Sequence, residues 1–235
     1  MAGRQLAPQT VPTSGGNVLT TSSVGTAGGV AGLDGTGKVP TAQVPDLSGT
    51  YTTVSSYGGI WTPSDHGFLS WTFDPATCST TGTTLAVGYI YLVQVILRSA
   101  ATINKIAIVI GTAGATLTAS QCFAGLYTAA GTRAALTADM STTWNSAGFK
   151  AMSLTASYSA AAGRYYAAFV MNGTTSPTLA CGSTLGATFT PGNANLAAGS
   201  YRFARSPANG NTSLPTSLTL SGYTPDANNV WAAVL

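Results

Sequence analysis

The sequence predicts an all-β protein whose head is a jelly-roll-like antiparallel β-sandwich, preceded by an extended, Gly/Pro/Thr-rich N-terminal arm. Turn residues recur about every 8–12 residues between short β-rich runs, a spacing typical of sandwiches. The chain has 235 residues, 45% of them hydrophobic, which suffices for one all-β core plus an extension. Glutamate is absent, and Lys and Leu do not recur at helical spacing, so we expect almost no helix.

Charged side chains are scarce, at 6% of the chain, against about 25% in ordinary soluble domains. A surface hydrated by Thr, Ser, Asn and Gly is typical of a protein held in an assembly. The net charge of +3 is spread along the chain without a basic run. Because counterion release on nucleic acid requires clustered Lys and Arg, nucleic acid is not an expected partner.

Residues 1–60 differ from the rest and predict an N-terminal arm, followed by a head at residues 61–235. Val-Pro-Thr occurs at 11–13 and again at 39–41, among repeated glycines. Such a segment cannot bury enough apolar surface alone to offset its loss of conformational entropy. We therefore expect an extended attachment or stalk arm that orders by packing on other chains.

We expect neither a targeting segment nor a membrane-spanning one. No apolar stretch follows Met1, so a signal peptide is not expected. The longest apolar run, residues 89–97, is too short to cross a bilayer. We expect synthesis in a cytoplasm without secretion, and no membrane insertion.

One stretch of the arm has the spacing of a phosphate-binding loop. Gly32, Gly37 and Lys38 match the Walker A pattern, but Val39 replaces the magnesium-binding Ser or Thr. Pro40 also obstructs the helix whose N-terminus would hold the phosphates. A Gly-rich linker is the better interpretation.

The first head strand is predicted at residues 68–73. Alternation places Leu69, Trp71 and Phe73 on one wholly apolar face, which we expect to point inward. Ser70 and Thr72 would then face outward together with Phe68.

Two longer strands follow in the sequence. Residues 89–97 are apolar on both faces, so this strand should be central in its sheet or covered by a neighbour. Residues 102–110 bring Ile106, Ile108 and Ile110 to one face.

The stretch from residue 122 to 173 predicts four short strands separated by turns. Breaks fall at 129–131 and 144–148, and Asn172-Gly173 closes the block. Asn-Gly after a strand indicates a hairpin, because both residues tolerate positive φ. The strands are expected at residues 122–127, 132–137, 149–154 and 164–171.

More short strands are predicted toward the end of the chain. The apolar segment 229–235 is unlike a dangling terminus, and we expect it to pair inside a sheet, next to the first strand. Eight or more strands in this pattern favour a jelly-roll-like sandwich. The remaining runs are residues 178–181, 187–190, 201–205 and 217–220.

The central block also contains three motifs, which are Gly125-Leu126-Tyr127, Trp144-Asn145-Ser146-Ala147-Gly148-Phe149-Lys150, and Ala162-Gly163-Arg164-Tyr165-Tyr166 through Asn172-Gly173-Thr174-Thr175-Ser176-Pro177. These motifs resemble the C-terminal head domains of minor tail and fibre proteins of tailed bacteriophages, notably those infecting actinobacteria. The resemblance extends loosely to residues 67–75 and covers most of the chain. Residues 32–45 resemble a phrase common in phage fibre stalks.

This resemblance implies a non-enzymatic virion structural protein, either a minor tail protein or a tail fibre. It implies that residues 1–60 bind other virion proteins and that the chain forms a homotrimer. The head would contribute to host-surface attachment, with host cell-wall carbohydrate as the expected class of ligand. Two alternatives stay open: a capsid decoration or head-fibre protein of the same architecture, and a free carbohydrate-binding module.

Catalytic chemistry is not expected. Ser64, Asp65 and His66 are contiguous, but a triad depends on spatial geometry, and this loop setting favours a solvated turn. A glycosidase needs two carboxylates across a cleft, and the acidic residues form no recognisable pair. The acids of the head are Asp65, Asp74, Asp139 and Asp226.

No metal or cofactor is expected either. Cys78, Cys122 and Cys181 lie in or beside predicted strands and are interpreted as buried thiols. The chain lacks the ligand spacing of zinc and calcium sites. Two sequons, beginning at Asn172 and Asn211, are interpreted as turns.

Exposed aromatic rings are the candidate binding elements, because a ring face can stack on the CH-rich face of a sugar. A Trp at a strand end more often packs in the core, and this is the expectation for Trp144. The candidate ligand contacts, all near predicted turns, are Trp61, Tyr158, Tyr201 and Tyr223.

Overall fold

The computed structural model describes residues 31–40, 61–182 and 191–235. The strand predicted at residues 187–190 lies outside the described residues, as does the predicted arm apart from residues 31–40. The chain divides into two units, Met1–Gly58 and Gly59–Leu235, and the second contains all of the strands described below.

The second unit is all-β, as predicted. Within the described residues the only helical segments are 3-10 turns of three or four residues, and none of them is long and apolar enough to cross a membrane. The strands are β1 (Ser70–Trp71), β2 (Thr83–Thr84), β3 (Ile90–Leu97), β4 (Ala101–Thr112), β5 (Ala115–Leu117), β6 (Phe123–Thr128), β7 (Arg133–Leu136), β8 (Gly148–Ala160), β9 (Gly163–Val170), β10 (Gly173–Thr175), β11 (Thr178–Leu179), β12 (Phe203–Arg205), β13 (Thr224–Pro225) and β14 (Ala233–Val234).

The first sheet is built around β4. β8 pairs with β4 along nearly its whole length. The opposite edge of β4 is shared by β14 and, farther along, by β11. β1 then adds to β14, and β2 adds to β11. All of these pairs are antiparallel.

The second sheet has the order β13-β12-β3-β9-β6-β7, again with antiparallel neighbours. β3 lies inside this sheet and is buried on both faces, which confirms the prediction from its apolar run. Tyr91, Val93 and Val95 join the cluster between the sheets. Ile90 and Leu92 join a second cluster, closed by loop side chains from nearer the C-terminus.

The two sheets pack face to face over one continuous core. Ile106, Ile108 and Ile110 of β4 all point into this core, as their spacing predicted. They belong to the same cluster as Val95 and Phe169 of the second sheet. Burial of each such side chain contributes about 1.5–3 kcal/mol. The antiparallel sandwich is therefore established, while the specific connectivity of a jelly roll stays a prediction.

A bulge in β8 joins the sheets along one side. Residues 154–157 of β8 stand opposite Asn104 of β4 alone. In this bulge Leu154 forms a β-bridge with Thr137, and the Thr155 hydroxyl donates to the last carbonyl of β7 at 2.9 Å. The bulge thus turns the edge strand of one sheet toward the edge of the other.

The first head strand differs from its prediction in both length and orientation. β1 comprises only Ser70 and Trp71. Ser70 and Thr72 are 4% and 7% exposed, whereas Leu69 is 40% exposed. The expectation that this face points into the main core is therefore wrong for Leu69 and Trp71, whereas Phe73 does pack against the main core, 6.4 Å from the Phe203 ring.

Hydrogen bonds explain why the polar side chains of this strand can face inward. The Ser70 hydroxyl donates to the Ile96 carbonyl of the second sheet at 2.8 Å. The Thr72 hydroxyl accepts from the Ala232 amide at 3.2 Å. A buried hydroxyl with a partner escapes most of the cost of leaving water. The Trp71 ring is thereby left for the outer face.

The hairpin predicted from Asn172-Gly173 does not form. Asn172 follows β9, but the next strand, β10, pairs with β5 instead of folding back on β9. The Asn172 side chain donates to the carbonyls of Gln121 and Asn211, at 3.2 and 2.9 Å. These long-range bonds fix the loop, so the predicted hairpin is wrong.

The C-terminal strand lies where it was predicted. β14 inserts between β1 and β4, with Ser70 opposite Val234 and Ala233 opposite Ala107. The last residue, Leu235, continues the ladder by donating its amide to the Lys105 carbonyl at 3.0 Å.

Two glycines with nearly the same positive φ have very different surroundings. Gly131 and Gly210 have φ of +83° and +85°, but a Cβ at Gly131 would overlap the Leu218 carbonyl, whereas Gly210 faces open space. Gly210→Ala should cost about 1–2 kcal/mol from the left-handed backbone alone. Gly131→Ala should cost more, about 3 kcal/mol or above, because the carbonyl must move. Urea unfolding of both variants measures the difference, and equal losses would contradict the close approach.

Candidate functional site

The outer face of the first sheet carries a connected set of aromatic rings. On this face, side chains that point away from the main core lie side by side on four strands. They are Trp71, Ala233, Ala107 and Ala151. The three alanines leave space above the sheet for larger neighbours. We call this surface the aromatic face and define it by Trp61, His66, Phe68, Trp71, Phe149 and Trp231.

Phe68 is the hub of the aromatic face. Its ring centroid lies 5.7 Å from Trp231, 6.1 Å from Phe149 and 6.5 Å from Trp71. Most of these pairs are edge-to-face or tilted, the arrangement that the ring quadrupoles favour. Trp231 anchors the cluster from below and is 2% exposed.

A short 3-10 turn, Pro63–His66, brings the remaining rings to this cluster. The Asp65 carboxylate accepts from the amide and the hydroxyl of Thr62, both at 2.7 Å, which caps the turn. These hydrogen bonds, led by that from the hydroxyl, lower the pKa of Asp65. Gly67 then reverses the chain with φ of +74°.

His66 is placed by this turn among three aromatic rings. Its ring lies 5.3 Å from Trp61, 5.3 Å from Trp71 and 6.2 Å from Phe68, stacked on the last. His66 therefore contributes an aromatic surface to the face.

Ser64, Asp65 and His66 are contiguous in the sequence but do not form a catalytic triad. The Asp65 carboxylate is held by Thr62, and the Ser64 hydroxyl lies 2.8 Å from the Thr62 hydroxyl. Both polar side chains turn back on the capping residue, while the His66 ring contacts aromatic rings. The geometry agrees with an exposed turn.

Three rings of the aromatic face are open to solvent. Trp61 is 59% exposed, Phe149 is 53% exposed, and His66 is exposed as well. Phe149 sits opposite Val109 in the β4–β8 pair. Lys150 is the neighbouring charge, and its ammonium donates to the Ser146 hydroxyl and the Ala147 carbonyl at 2.8 and 3.1 Å. The ammonium of Lys150 is thus engaged within its own chain.

Trp61 is the only predicted ligand contact that lies on this face. Tyr201 and Tyr223 lie together in a different place, a shallow depression whose lining includes Tyr166 and Leu220. Its enclosed space, about 10 Å³, is far below the 300–1,000 Å³ that ligand pockets usually enclose. The Tyr166 hydroxyl donates to the Gly199 carbonyl at 3.2 Å, so one of the few polar groups there is already engaged.

Tyr223 and Tyr158 are held by packing. Tyr223 is 8% exposed and belongs to the outer cluster of the second sheet. Burial raises the pKa of Tyr223 to about 12. Tyr158 is half-buried, with its ring edge-on to Tyr165 at 6.1 Å. The structure does not bring the four predicted contacts to one site.

Trp144 packs in the core, as predicted. It is 0% exposed, and its indole N–H donates to the Met152 sulfur at 3.1 Å.

The carboxylates of the head each serve a separate local structure. Asp74 accepts from the Ala76 amide, and Asp139 accepts from the Ser141 hydroxyl. Asp226 is 7% exposed at its side chain and lies 3.4 Å from the Arg205 guanidinium. In the described ranges no group of three or more His, Cys, Asp or Glu is arranged to hold a metal ion.

The three cysteines are free thiols in this structure. Cys122 is 0% exposed and Cys181 is 2% exposed. Burial raises the pKa of Cys78, Cys122 and Cys181, which favours the protonated, weakly nucleophilic thiol.

The Walker-like loop closes on itself. The Asp34 carboxylate accepts from the amides of Thr36 and Lys38, at 2.8 and 3.0 Å. The pKa of Asp34 is lowered most by the hydrogen bond from the Thr36 hydroxyl, and further by these two amides. Two backbone donors that a phosphate would use are therefore occupied by the chain's own carboxylate.

The side chains of both sequon asparagines are engaged in hydrogen bonds within the chain. The Asn172 amide nitrogen bonds two loop carbonyls, and that of Asn211 donates to the Gly88 carbonyl at 2.8 Å. Both side chains hold loops together, in agreement with their interpretation as turns.

Sequence reasoning missed Phe68, Phe149 and Trp231 as members of one surface. Periodicity shows that Leu69 and Trp71 share a face, but it does not show which face meets the core. The only available signal was that the six rings lie in or close to predicted strands. The register that brings Trp71 and Phe149 to one sheet face is a long-range property.

The fold and this surface define a charge-poor antiparallel β-sandwich with an exposed aromatic face. The chain matches no protein-family model and no curated protein sequence.

Because the phenol of Tyr223 is buried, we expect the folded protein to lose stability at alkaline pH. An unfolded Tyr ionises near pH 10, whereas the native phenol stays protonated to about pH 12. The native state therefore binds more protons between these values, so the free energy of unfolding falls as pH rises from 10 to 12. The full shift corresponds to about 3 kcal/mol at most.

Denaturant unfolding at pH 9, 10 and 11 measures this effect. Tyr223→Phe should lose less stability over that range than the parent chain. Tyr201→Phe, which alters a partly exposed ring in the same depression, should behave like the parent. Identical pH profiles for the parent and Tyr223→Phe would contradict the assignment.

Proposed function

We propose that this chain is a non-enzymatic structural protein of a tailed-bacteriophage virion, a minor tail or fibre protein. Residues 1–60 anchor it to other virion proteins, and the β-sandwich head contributes to host-surface attachment. The observation that carries the proposal is the aromatic face, an exposed apolar surface on a head with very little charge.

Such a surface favours a protein that works within an assembly. Trp61 and Phe149 keep more than half of their surface in water. Only 6% of the chain is charged, so little electrostatic repulsion opposes association. Large exposed apolar patches usually mark interaction sites.

The motifs that resemble those of phage tail and fibre heads have structural roles in this chain, and this supports the proposed setting. Trp144 is buried, Gly148 has φ of +106°, and Tyr166 is 2% exposed. These positions specify packing and turns, so the resemblance concerns the head's architecture. Homotrimer formation and virion localisation follow from the same resemblance and belong to the proposal.

A non-enzymatic role is supported by the state of the acidic side chains. Asp65, Asp74, Asp139 and Asp226 are each engaged by a local partner, in four separate places. A hydrolytic pair requires two carboxylates on either side of one bond.

The location of the protein tests the proposal. Antibodies raised against the full chain should label assembled phage particles from a strain that carries its gene, seen by gold labelling in electron microscopy. Labelling at the tail supports a minor tail or fibre protein, and labelling at the capsid supports the decoration alternative. A protein recovered only outside particles contradicts the proposal and favours a free carbohydrate-binding module.

Host attachment predicts binding of the full chain to host cell walls. Tyr158 and Tyr201 keep part of their rings accessible, and replacing either with Ala should weaken binding by about 1–3 kcal/mol if sugars stack there. The measurement is co-sedimentation with purified walls before and after chemical removal of wall carbohydrate. Binding that survives this removal contradicts a carbohydrate ligand.

A further inference from the structure

We propose that the end of the second sheet around Arg98 and Arg164 binds an anionic sugar polymer of the host cell wall. We call this surface the arginine end and define it by Arg98, Arg164, Gln94 and Tyr201. The inference rests on the proposed function, because it gives host-surface attachment a ligand class and a place on the head.

Strand register brings the two arginines to one end of the head. Arg164 stands opposite Ile96 in the β3–β9 pair, and Gly163 stands opposite Leu97, the last residue of β3. Arg98 follows directly in the chain, and both arginines are exposed. A residue two positions beyond the partner of Arg164 is its diagonal neighbour, and such neighbours lie about 7–8 Å apart. One ligand can therefore contact both guanidinium groups.

The guanidinium groups of Arg98 and Arg164 are free, unlike most other cations of the head. Four of those cations are bonded to groups of their own chain, namely Arg133, Lys150, Arg202 and Arg205. Within the described residues neither Arg98 nor Arg164 forms an ion pair or a side-chain hydrogen bond. A guanidinium that stabilised the fold would have such a partner. The two charges are therefore available to a ligand.

The charge of the arginine end is not compensated by a carboxylate of the described head. Each of these carboxylates is engaged at another place, and they are Asp65, Asp74, Asp139 and Asp226. A guanidinium donates through a planar fork that matches two oxygens of a phosphate or a carboxylate. The complementary ligand group is therefore one of these anions.

A polar and aromatic surface adjoins the arginines. Gln94 stands opposite Tyr166, which lies two residues beyond Arg164 in β9. The Gln94 amide nitrogen makes only long hydrogen bonds, at 3.4 Å to the Tyr166 hydroxyl and 3.5 Å to the Ser200 carbonyl, so its bonding capacity is not saturated. The next residue, Tyr201, has a partly exposed ring. A stacking ring, an amide and fixed cations together suit a sugar that bears a charge.

The small number of free cations favours a sugar polymer over nucleic acid. Binding to nucleic acid neutralises a row of phosphates with clustered Lys and Arg, whereas two arginines stand together here. A polymer with spaced anions needs few contacts at each head. Several heads on one particle would then raise the overall avidity without any new contact.

The test measures binding of the full chain to purified host walls by co-sedimentation. Arg98→Gln and Arg164→Gln should each raise the dissociation constant about 5-fold, and the double variant about 25-fold. Lys105→Gln is the matched control, because it removes the same charge from an exposed position on the first sheet, opposite Ser153. At physiological ionic strength this distant charge is screened, so the control should change the constant by less than about twofold.

Chemically treated walls identify the anion. Hydrofluoric acid removes phosphodiester-linked polymers, and carbodiimide activation followed by borohydride reduces carboxyl groups to alcohols. Loss of binding after either treatment supports the inference and shows whether phosphate or carboxylate is bound. Arg164→Lys keeps the charge but not the planar fork, so it should bind more tightly than Arg164→Gln and less tightly than the parent chain.

Salt provides a readout that a purely structural role would not change. Binding of the parent chain should weaken as the ionic strength rises from about 0.05 to about 0.5 M. The double variant should depend less on salt, because it lacks the two charges. All variants should keep the circular dichroism spectrum of the parent, since the replaced side chains are exposed.

Several results would overturn the inference. They are a parent chain that does not bind host walls, a double variant that binds as tightly as the parent, a Lys105→Gln variant that loses as much binding as either arginine variant, and binding that survives both wall treatments. Complete competition by duplex DNA at equal phosphate concentration would also overturn it, because the surface would then recognise any polyanion.

The virion-labelling experiment is independent of these results. Labelled particles together with wall binding that does not depend on the arginines would leave the proposed function standing without this inference. Arginine-dependent wall binding without labelled particles would overturn only the proposed place in a virion.

Discussion

The insertion of β14 between β1 and β4 is the interaction on which the rest of the head depends. Alternate residues of this C-terminal segment serve two hydrophobic clusters. Ala232 and Val234 complete the core between the sheets. Trp231 and Ala233 form the base of the aromatic face on the other side. Among the described residues β1 pairs with no other strand, so without this pairing Trp71 and Phe68 would lose the floor on which they pack.

Much of the fold could be predicted because it depends on local patterns. The apolar run of β3, the isoleucines of β4 and the apolar C-terminal segment each identify a strand from a few neighbouring residues. The orientation of β1 could not be predicted in this way, since Ser70 faces inward only because the Ile96 carbonyl is there to accept its hydrogen bond. Likewise, Asn172 forgoes a hairpin because distant carbonyls engage its side chain.

The candidate surface was less accessible to sequence reasoning than the fold. Trp61 was predicted as an exposed ring from its position beside a turn, and Trp144 as a packed one from the structural character of the motif around it. Phe149 gave no such signal, because its exposure depends on lying at an edge strand opposite Val109. His66 attracted attention as a titratable group, yet its contacts are those of an aromatic ring. Conversely, Tyr223 follows a turn but is covered by loop side chains.

The arrangement at the start of the head also determines how it bears mechanical load. Tension along the chain at Trp61 reaches β1, and β1 and its partner β14 are only two residues long. Before that pair is strained, the force must separate the ring contacts of His66 with Trp61 and Trp71. A pull on the chain at Trp61 would therefore separate the ring contacts first and the short β1–β14 pair next, before it loaded the longer β4–β8 and β3–β9 pairs.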